Sequence, residues 1–316
     1  MKLLMINDFR QFSGAETHLA TLSKALEHLG VEVATWCYQP DNETVNWWQA
    51  LKRFKPDILH LHNFSRLYGE VWEVLHQGIP TVLSLHDYAM ICPQRMRLYQ
   101  WKRCATPCNY ECGEKGWAQG WARLLKGKRL VTFNPGSAAI FRAHGLDVAV
   151  IPHGIDLTRW QRPPEGSPRR GLGFVSGNDS MWWKGYETAV EIAAALGQPL
   201  QAIRGGEYSQ EKVAALYQAC QVWLNPCIYD DTFGLTTLEA LACGSYVVSY
   251  DTAGARTLLG NGSGGCLVPL GDKEAFRGAV KDAFDLKRSN AWDMGDYYNA
   301  GRMAQDWVNL YRSMAF

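Results

Sequence analysis

Short apolar runs alternate along the chain with longer stretches whose apolar residues recur at helical spacing. Runs such as LLMIN, ILHLH and TVLSLH are typical of buried strands, whereas Leu19, Leu22, Leu26 and Leu29 fall on one face of a helix that Gly30 ends. Strands that alternate with helices predict a parallel sheet covered on both faces. Such sheets bind their ligands at the carboxyl ends of the strands.

The alternation runs twice, and a stretch rich in proline, glycine and charge, RWQRPPEGSPRRG, is the predicted linker between the two runs. We therefore predict an α/β protein with two Rossmann-like, doubly wound domains that face each other across a cleft. The domains are residues 1–155 and 156–290. The amphipathic segment 291–316 is predicted as a terminal helix that packs back on the N-terminal domain, and a basic, cysteine-bearing insertion occupies residues 92–129.

Composition excludes several classes of protein. Of 316 residues, 47% are hydrophobic and 20% charged, which is too apolar for a disordered chain. Lysine and arginine number 32 against 31 acidic residues, so bulk charge does not favour coating of nucleic acid. No run approaches the roughly 18 apolar residues of a membrane span, and charged residues come too early for a signal peptide. We expect a cytoplasmic protein.

The stretch LNPCIYDDTFGLTTLEALACGSYVVSYDTAG is the most informative in the chain. It predicts a strand, a loop and a helix whose first turn begins at Leu235. The exposed amides of a helix start, together with the helix dipole, can bind an anion, and Gly234 allows close approach of the backbone. Asp231 and Glu239 flank this turn and can accept hydrogen bonds from sugar hydroxyls. An ordinary helix start with a surface acid is the alternative.

The same stretch resembles the signature of the retaining glycosyltransferases of family 4, which have the GT-B fold. Further segments resemble that family in the right order along the chain: SGAE, PDILHLHN, GIPTVLSLHDY, IPHGID, WWKGYE and NGSGGCLVPLGD. The resemblance implies metal-independent transfer of a sugar, with retention, from a nucleotide diphosphate sugar of the UDP or GDP type. It also implies a glycan or lipid-linked glycan as acceptor, as in polysaccharide biosynthesis.

The resemblance assigns roles to individual residues of the second domain. Glu239 would hydrogen-bond the ribose of the donor, and Asp231 would hold a hydroxyl of the donor sugar. Lys184 would neutralise the departing diphosphate, and the amides near Leu235 and Thr236 would bind sugar or phosphate oxygens.

Four more positions follow from the same resemblance. Phe233 and Gly234 form the Phe-Gly pair of the donor-binding motif. In the N-terminal domain, Gly14 would approach the diphosphate and His86 would face the donor sugar. A strand-end histidine bonded to backbone is the alternative for His86.

Two departures from the family pattern stand out. Asp231 replaces the usual glutamate, and no arginine lies between Gly173 and Lys184, where the family carries one. Arg204, at the end of a predicted strand, is the candidate substitute. Without a substitute, the chain would be a catalytically weak or inactive nucleotide-sugar-binding protein.

The insertion contains four cysteines, Cys92, Cys104, Cys108 and Cys112, which could close a tetrahedral structural zinc site. Reduced cysteines packed in a loop are the alternative. No catalytic metal is expected.

The insertion is also basic. Arg95 to Arg129 contains nine basic and two acidic residues, interleaved with aromatic side chains. This combination suits peripheral contact with an anionic membrane at its inner face, a lipid-linked acceptor or, less in keeping with the family, DNA that carries a modified base. A solvated loop with aromatic residues packed beneath it is the alternative.

Overall fold

The computed structural model describes residues 1–7, 14–37, 47–62, 75, 78–99, 102–104, 116–177, 181–204, 208–285 and 292–314. The chain forms two compact units, each with its own parallel sheet. Unit 1 consists of Met1–Met96, Ala105–Gly154 and Tyr298–Phe316, and unit 2 of Arg97–Cys104 and Ile155–Tyr297.

The elements below are those of the described residues. The strands are β1 (Lys2–Asn7), β2 (Glu32–Cys37), β3 (Ile58–Leu61), β4 (Thr81–Ser84), β5 (Leu98–Tyr99), β6 (Lys102–Arg103), β7 (Arg129–Thr132), β8 (Val148–Val150), β9 (Leu172–Ser176), β10 (Leu200–Arg204), β11 (Val222–Asn225), β12 (Tyr246–Tyr250) and β13 (Gly265–Val268). The helices are α1 (Gly14–His28), α2 (Trp47–Phe54), α3 (Trp117–Leu124), α4 (Pro135–Ala143), α5 (Tyr186–Leu196), α6 (Gln210–Ala219), α7 (Leu235–Ala242), α8 (Ala253–Leu259), α9 (Lys273–Asp285) and α10 (Ala300–Met314), with a 3-10 turn at Trp182–Lys184.

The sheet of unit 1 has six parallel strands in the order β2-β1-β3-β4-β7-β8. The apolar residues of β1, Leu3 to Ile6, are fully buried because helices cover both faces of a sheet of this kind. β1 pairs with β2 on one side and with β3 on the other. The chain therefore leaves β1 and β3 in opposite directions, and sheets of this kind bind ligands at the carboxyl ends of the strands where such a reversal occurs.

The last helix, α10, completes unit 1. It packs on α1 and buries Met303, Trp307 and Tyr311. The Tyr311 hydroxyl lies 2.7 Å from His60 Nδ1, and the Gly154 N–H donates to Met303 Sδ at 3.0 Å. The predicted return of the terminal helix to the N-terminal domain is confirmed.

The sheet of unit 2 has five parallel strands in the order β10-β9-β11-β12-β13. Its core forms where α5 and α9 cover the sheet, and it includes Phe174 and Val248 from the strands with Ile192 and Phe276 from these helices. The predicted α/β layering is thus present in both units.

The predicted linker is part of unit 2 and is packed against it. Trp160 is buried, Arg162 donates to the carbonyl oxygen of Trp292 at 2.9 Å, and Arg169 donates to that of Cys243. Two of its arginines hydrogen-bond backbone carbonyls, which the high charge of the segment did not indicate.

Residues 97–104 also differ from the prediction, which placed the whole insertion in the N-terminal domain. Their described residues, 97–99 and 102–104, belong to unit 2, where β5 and β6 pair antiparallel and are called the β5–β6 hairpin below. Ion pairs of Arg97 and Arg103 with Asp230 hold the hairpin there.

Candidate functional site

The loop between β11 and α7 carries the motif identified in the sequence. Gly234, just before α7, has φ 94°, a left-handed conformation that glycine adopts without strain. No side chain caps the helix, so the amides of Leu235 and Thr236 have no intrahelical partner. Among the described residues, buried Thr237 Oγ1 also has no hydrogen-bond partner. This helix start can therefore donate hydrogen bonds to an anion.

Lys184 reaches the same loop from a distant segment. The glycine after it, Gly185, has φ 80° and lies so close to the carbonyl oxygen of Pro226 that a Cβ would collide with it. Lys184 Nζ lies 3.0 Å from Asp231 Oδ1, with the two side chains 24% and 12% exposed. The structure thus brings together two residues that the resemblance assigns to the donor.

The electrostatics of this pair keep the lysine charged. Burial by itself lowers the pKa of Lys184, but the Asp231 carboxylate and its hydrogen bond raise that pKa above its ordinary value. The ammonium group is therefore fully protonated at neutral pH.

Glu239 is buried in α7, and the Tyr217 hydroxyl donates to its Oε2 at 3.0 Å. Burial raises the pKa of Glu239 to about 8, against the opposing effect of the Tyr217 hydrogen bond. The neutral carboxyl therefore predominates at neutral pH, and it can both donate to and accept from a hydroxyl group. Tyr217 was not found from the sequence, because an aromatic residue on a buried helix face is typical of any core.

Phe233 is fixed against the start of α8. It is buried, and a Cβ on Gly254 would collide with its carbonyl oxygen. The backbone just before Gly234 is therefore closely packed against α8, which holds the start of α7 in place.

Two arginines of the β5–β6 hairpin converge on Asp230, the residue before Asp231. Arg97 Nη1 lies 3.6 Å and Arg103 Nη1 3.0 Å from its carboxylate. Arg103 also donates to the carbonyl oxygen of Ile228 at 3.3 Å. These arginines were predicted as part of a basic acceptor surface, but in the structure they pair with the loop that precedes α7.

Arg204, the proposed substitute for the missing arginine, ends β10 as predicted. Its guanidinium lies over the ring of Tyr186, with 3.7 Å between the guanidinium carbon and the ring centroid. Tyr186 begins α5, two residues after Lys184. Arg204 is thus held beside the lysine segment, through an aromatic contact that its sequence position did not indicate.

Unit 1 collects five histidines at the carboxyl end of its sheet: His18 on α1, His60 and His62 at the end of β3, His86 after β4, and His153 after β8. His62 Nδ1 lies 3.1 Å from His86 Nε2, and the Nδ1 atoms of His18 and His153 lie 2.7 Å apart. Burial lowers the pKa of all five, that of His86 to about 3, so each is neutral at physiological pH.

Only His86 was singled out from the sequence. The signal for the others was their position, because residues that follow neighbouring parallel strands meet at one sheet edge. Gly14, the other predicted residue of unit 1, is the exposed first residue of α1.

The predicted cysteine site falls partly outside the described residues. Cys92 is buried in unit 1 and Cys104 is half-buried in unit 2, both as free thiols. Cys108 and Cys112 lie outside the described residues, so a structural zinc on these four cysteines stays a prediction.

Two tryptophans in the described part of the basic insertion pack against unit 1. The Trp117 indole donates to the carbonyl oxygen of Ala89 at 2.7 Å, and Trp121 is buried. Within the described residues, no helix has both the length and the apolar composition required to cross a bilayer.

Two family models match the chain. The model described as Glycosyl transferases group 1 matches residues 180–285, and Glycosyltransferase Family 4 matches residues 43–159. Together they cover more than two thirds of the chain.

Relatives and solved structures agree with these matches. The chain is 32% identical over 95 residues to the D-inositol 3-phosphate glycosyltransferase of Rhodococcus erythropolis, an alignment that covers 30% of this chain and 21% of the relative. It therefore spans about a fifth of that relative's length. In structure, it matches a sucrose-phosphate synthase from Thermosynechococcus elongatus with a TM-score of 0.80 and 14% identity over 99% of both chains. It matches Anabaena HepE, solved in complex with UDP-glucose, with a TM-score of 0.73 and 16% identity over 99% of this chain and 100% of that chain. The chain belongs to the family 4 glycosyltransferases, and its two parallel α/β units are those of the GT-B fold.

Proposed function

We propose that the protein transfers a sugar from a nucleotide diphosphate sugar to an acceptor hydroxyl, with retention and without a catalytic metal. Membership of the family supports the class of reaction. The UDP-glucose bound to HepE, a protein of the same fold, supports a nucleotide diphosphate sugar as donor.

The contact between Lys184 and Asp231 is the observation that carries the proposal. The two residues are far apart in sequence, and each matches a separate part of the family pattern, yet their charged groups lie 3.0 Å apart. Gly185 and Gly234, both with positive φ, fix the backbone at the two segments. A site for a ligand with both phosphate and hydroxyl groups explains why these segments meet.

The charges suit the chemistry of sugar transfer. When the bond between the anomeric carbon and the phosphate oxygen breaks, negative charge builds on the leaving diphosphate. The Lys184 ammonium and the amides of Leu235 and Thr236 would stabilise this charge. The leaving phosphate would then take the proton of the acceptor hydroxyl as it attacks from the same face, which retains the configuration.

The carboxyl groups would position the donor. Asp231 would accept a hydrogen bond from a hydroxyl of the donor sugar while it keeps its contact with Lys184. Glu239, neutral in the free protein, would exchange hydrogen bonds with the ribose hydroxyls. In unit 1, the resemblance implies His86 beside the donor sugar and Gly14 beside the diphosphate.

We propose a glycan or lipid-linked glycan as the acceptor, with peripheral contact between the basic insertion and an anionic membrane. The name of the Rhodococcus relative supports a carbohydrate-like hydroxyl as acceptor. A transfer assay with inositol phosphate, an oligosaccharide, a lipid-linked glycan and duplex DNA tests this proposal. Transfer only to DNA would contradict it.

Thermal shift with UDP-glucose, and with other nucleotide diphosphate sugars, tests the donor site. A ligand that binds only the folded state at about 100 times its Kd stabilises it by about 2.7 kcal/mol. We expect the shift to disappear in Lys184→Ala and Glu239→Ala but to persist in Lys281→Ala, which removes an exposed lysine of the same unit. If no such donor shifts the melting temperature of the wild type, the proposal is wrong.

A nucleotide-sugar-binding protein without activity is the second candidate, favoured by the missing arginine before Lys184. Hydrolysis of the donor in the absence of acceptor distinguishes the two. Slow hydrolysis by the wild type that Lys184→Ala abolishes supports the enzyme. Donor binding without any turnover supports the second candidate.

A further inference from the structure

Three histidines of unit 1 are arranged as metal ligands. One ring nitrogen from each of His18, His62 and His86 lies within 4.8 Å of the others. His18 and His62 are 1% and 0% exposed, and their Nε2 atoms have no hydrogen-bond partner among the described residues. Two buried polar atoms without partners are costly, and a bound ion would satisfy them.

We propose that His18, His62 and His86 bind a divalent transition-metal ion, Zn²⁺ being the best fit. This site is separate from the four cysteines of the insertion. It does not depend on the sugar-transfer proposal, because its tests measure metal binding alone.

The ligand chemistry fits zinc. Three imidazoles with an open fourth position are an established zinc ligand set, and imidazole also suits copper and nickel. Each histidine would bind the ion through a neutral imidazole nitrogen. The fourth position would be open to water or to a ligand oxygen.

The spacing requires only a small closure of the cluster. Zinc–nitrogen bonds of about 2.0–2.1 Å in a tetrahedron place the nitrogens roughly 3.4 Å apart. The ligand nitrogens lie within 4.8 Å of one another, so those at this limit must approach by about 1.4 Å. Rotation of the imidazole rings would supply this movement.

Neighbouring groups hold the rings in place. His18 Nδ1 lies 2.7 Å from His153 Nδ1, so the interaction with His153 directs the other nitrogen of His18, Nε2, away from that contact. His60 is held by Tyr311 and Ser84 at 2.7 Å each, and its ring lies against that of His62, with 4.0 Å between the centroids. Such outer partners fix the orientation of histidine ligands in metal sites.

Metal titration of the full chain tests the proposal. Calorimetry with Zn²⁺ gives the affinity, and metal analysis after dialysis gives the stoichiometry. We expect His18→Gln and His62→Gln each to weaken zinc binding by at least about 100-fold, because loss of an outer partner alone costs 10- to 100-fold. His28→Gln, which changes an exposed histidine on the same helix as His18, should bind as the wild type does.

X-ray absorption of the zinc-loaded wild type identifies the atoms bound to zinc. It needs no variant, so the proposal can be tested even if a variant fails to fold. Nitrogen neighbours at about 2.0–2.1 Å support the histidine site, whereas sulfur neighbours alone at about 2.3 Å would assign the ion to cysteines and overturn the proposal. Unchanged zinc affinity in folded His18→Gln and His62→Gln would overturn it as well.

Discussion

The buried carboxyl of Glu239 makes the stability of unit 2 depend on pH in a way that one substitution removes. Its pKa is about 8 in the folded protein and 4.5 ordinarily. The folded state therefore holds this proton more tightly than the unfolded state does. This stabilisation is fully present at pH values below the pKa of Glu239 in the unfolded chain. It is lost as the pH rises through the pKa of Glu239 in the folded protein.

The two pKa values set the size of the effect. Between about pH 5 and about pH 9, the shift of Glu239 lowers the free energy of unfolding by about 4 kcal/mol. Glutamine has nearly the same shape and does not titrate. As the pH rises, we therefore expect the wild type to lose about this amount of unfolding free energy relative to Glu239→Gln.

Urea unfolding of both proteins at the two pH values, followed by tryptophan fluorescence, measures the difference. Other titrating groups affect both proteins equally and cancel. Glu187→Gln, the same change at an exposed position of α5, is the control and should follow the wild type. If the curves of wild type and Glu239→Gln against pH are parallel, the carboxyl is ionised in the folded state and the reasoning is refuted.

Three further predictions concern stability and are checked by urea unfolding. Gly185→Ala should lower the free energy of unfolding by more than the roughly 1–2 kcal/mol that a left-handed alanine costs, because its Cβ also meets a carbonyl oxygen. Gly197→Ala, at a residue with positive φ but open space around it, should cost only that amount. Asp230→Asn should cost about 3 kcal/mol, because it leaves buried Arg97 and part-buried Arg103 without their carboxylate. Asp285→Asn, in an exposed pair, should change little. Trp307→Ala should cost about 3–5 kcal/mol by opening a cavity under α10, and a smaller loss would mean that this helix is not part of the core of unit 1.

The fold could be predicted from the sequence because its signal is local and repeated. Apolar runs and helical periods lie along both halves, and the predicted strands LLMIN, ILHLH and TVLSLH correspond to β1, β3 and β4. The donor motif was found for the same reason, since Asp231, Gly234 and Glu239 lie within one short stretch.

What the sequence did not indicate depends on contacts between distant residues. The ion pairs that place Arg97 and Arg103 in unit 2 join residues more than 120 positions from Asp230. Charge and aromatic content alone favoured a surface role for them. The histidines of unit 1 come together only once β3, β4 and β8 have joined the same sheet, in which β7 lies between β4 and β8.

The position of α10 sets the order in which the chain can fold during synthesis. The strands of unit 1 leave the ribosome first, but the helix that covers part of their core is made only after Ile155–Tyr297. Ile155–Tyr297 is complete before that, so unit 2 can reach its native packing while unit 1 still waits for α10. The usual order, in which the N-terminal domain folds first, is thereby reversed. Until α10 is made, the apolar face of α1 that it will cover is open to chaperones and to aggregation.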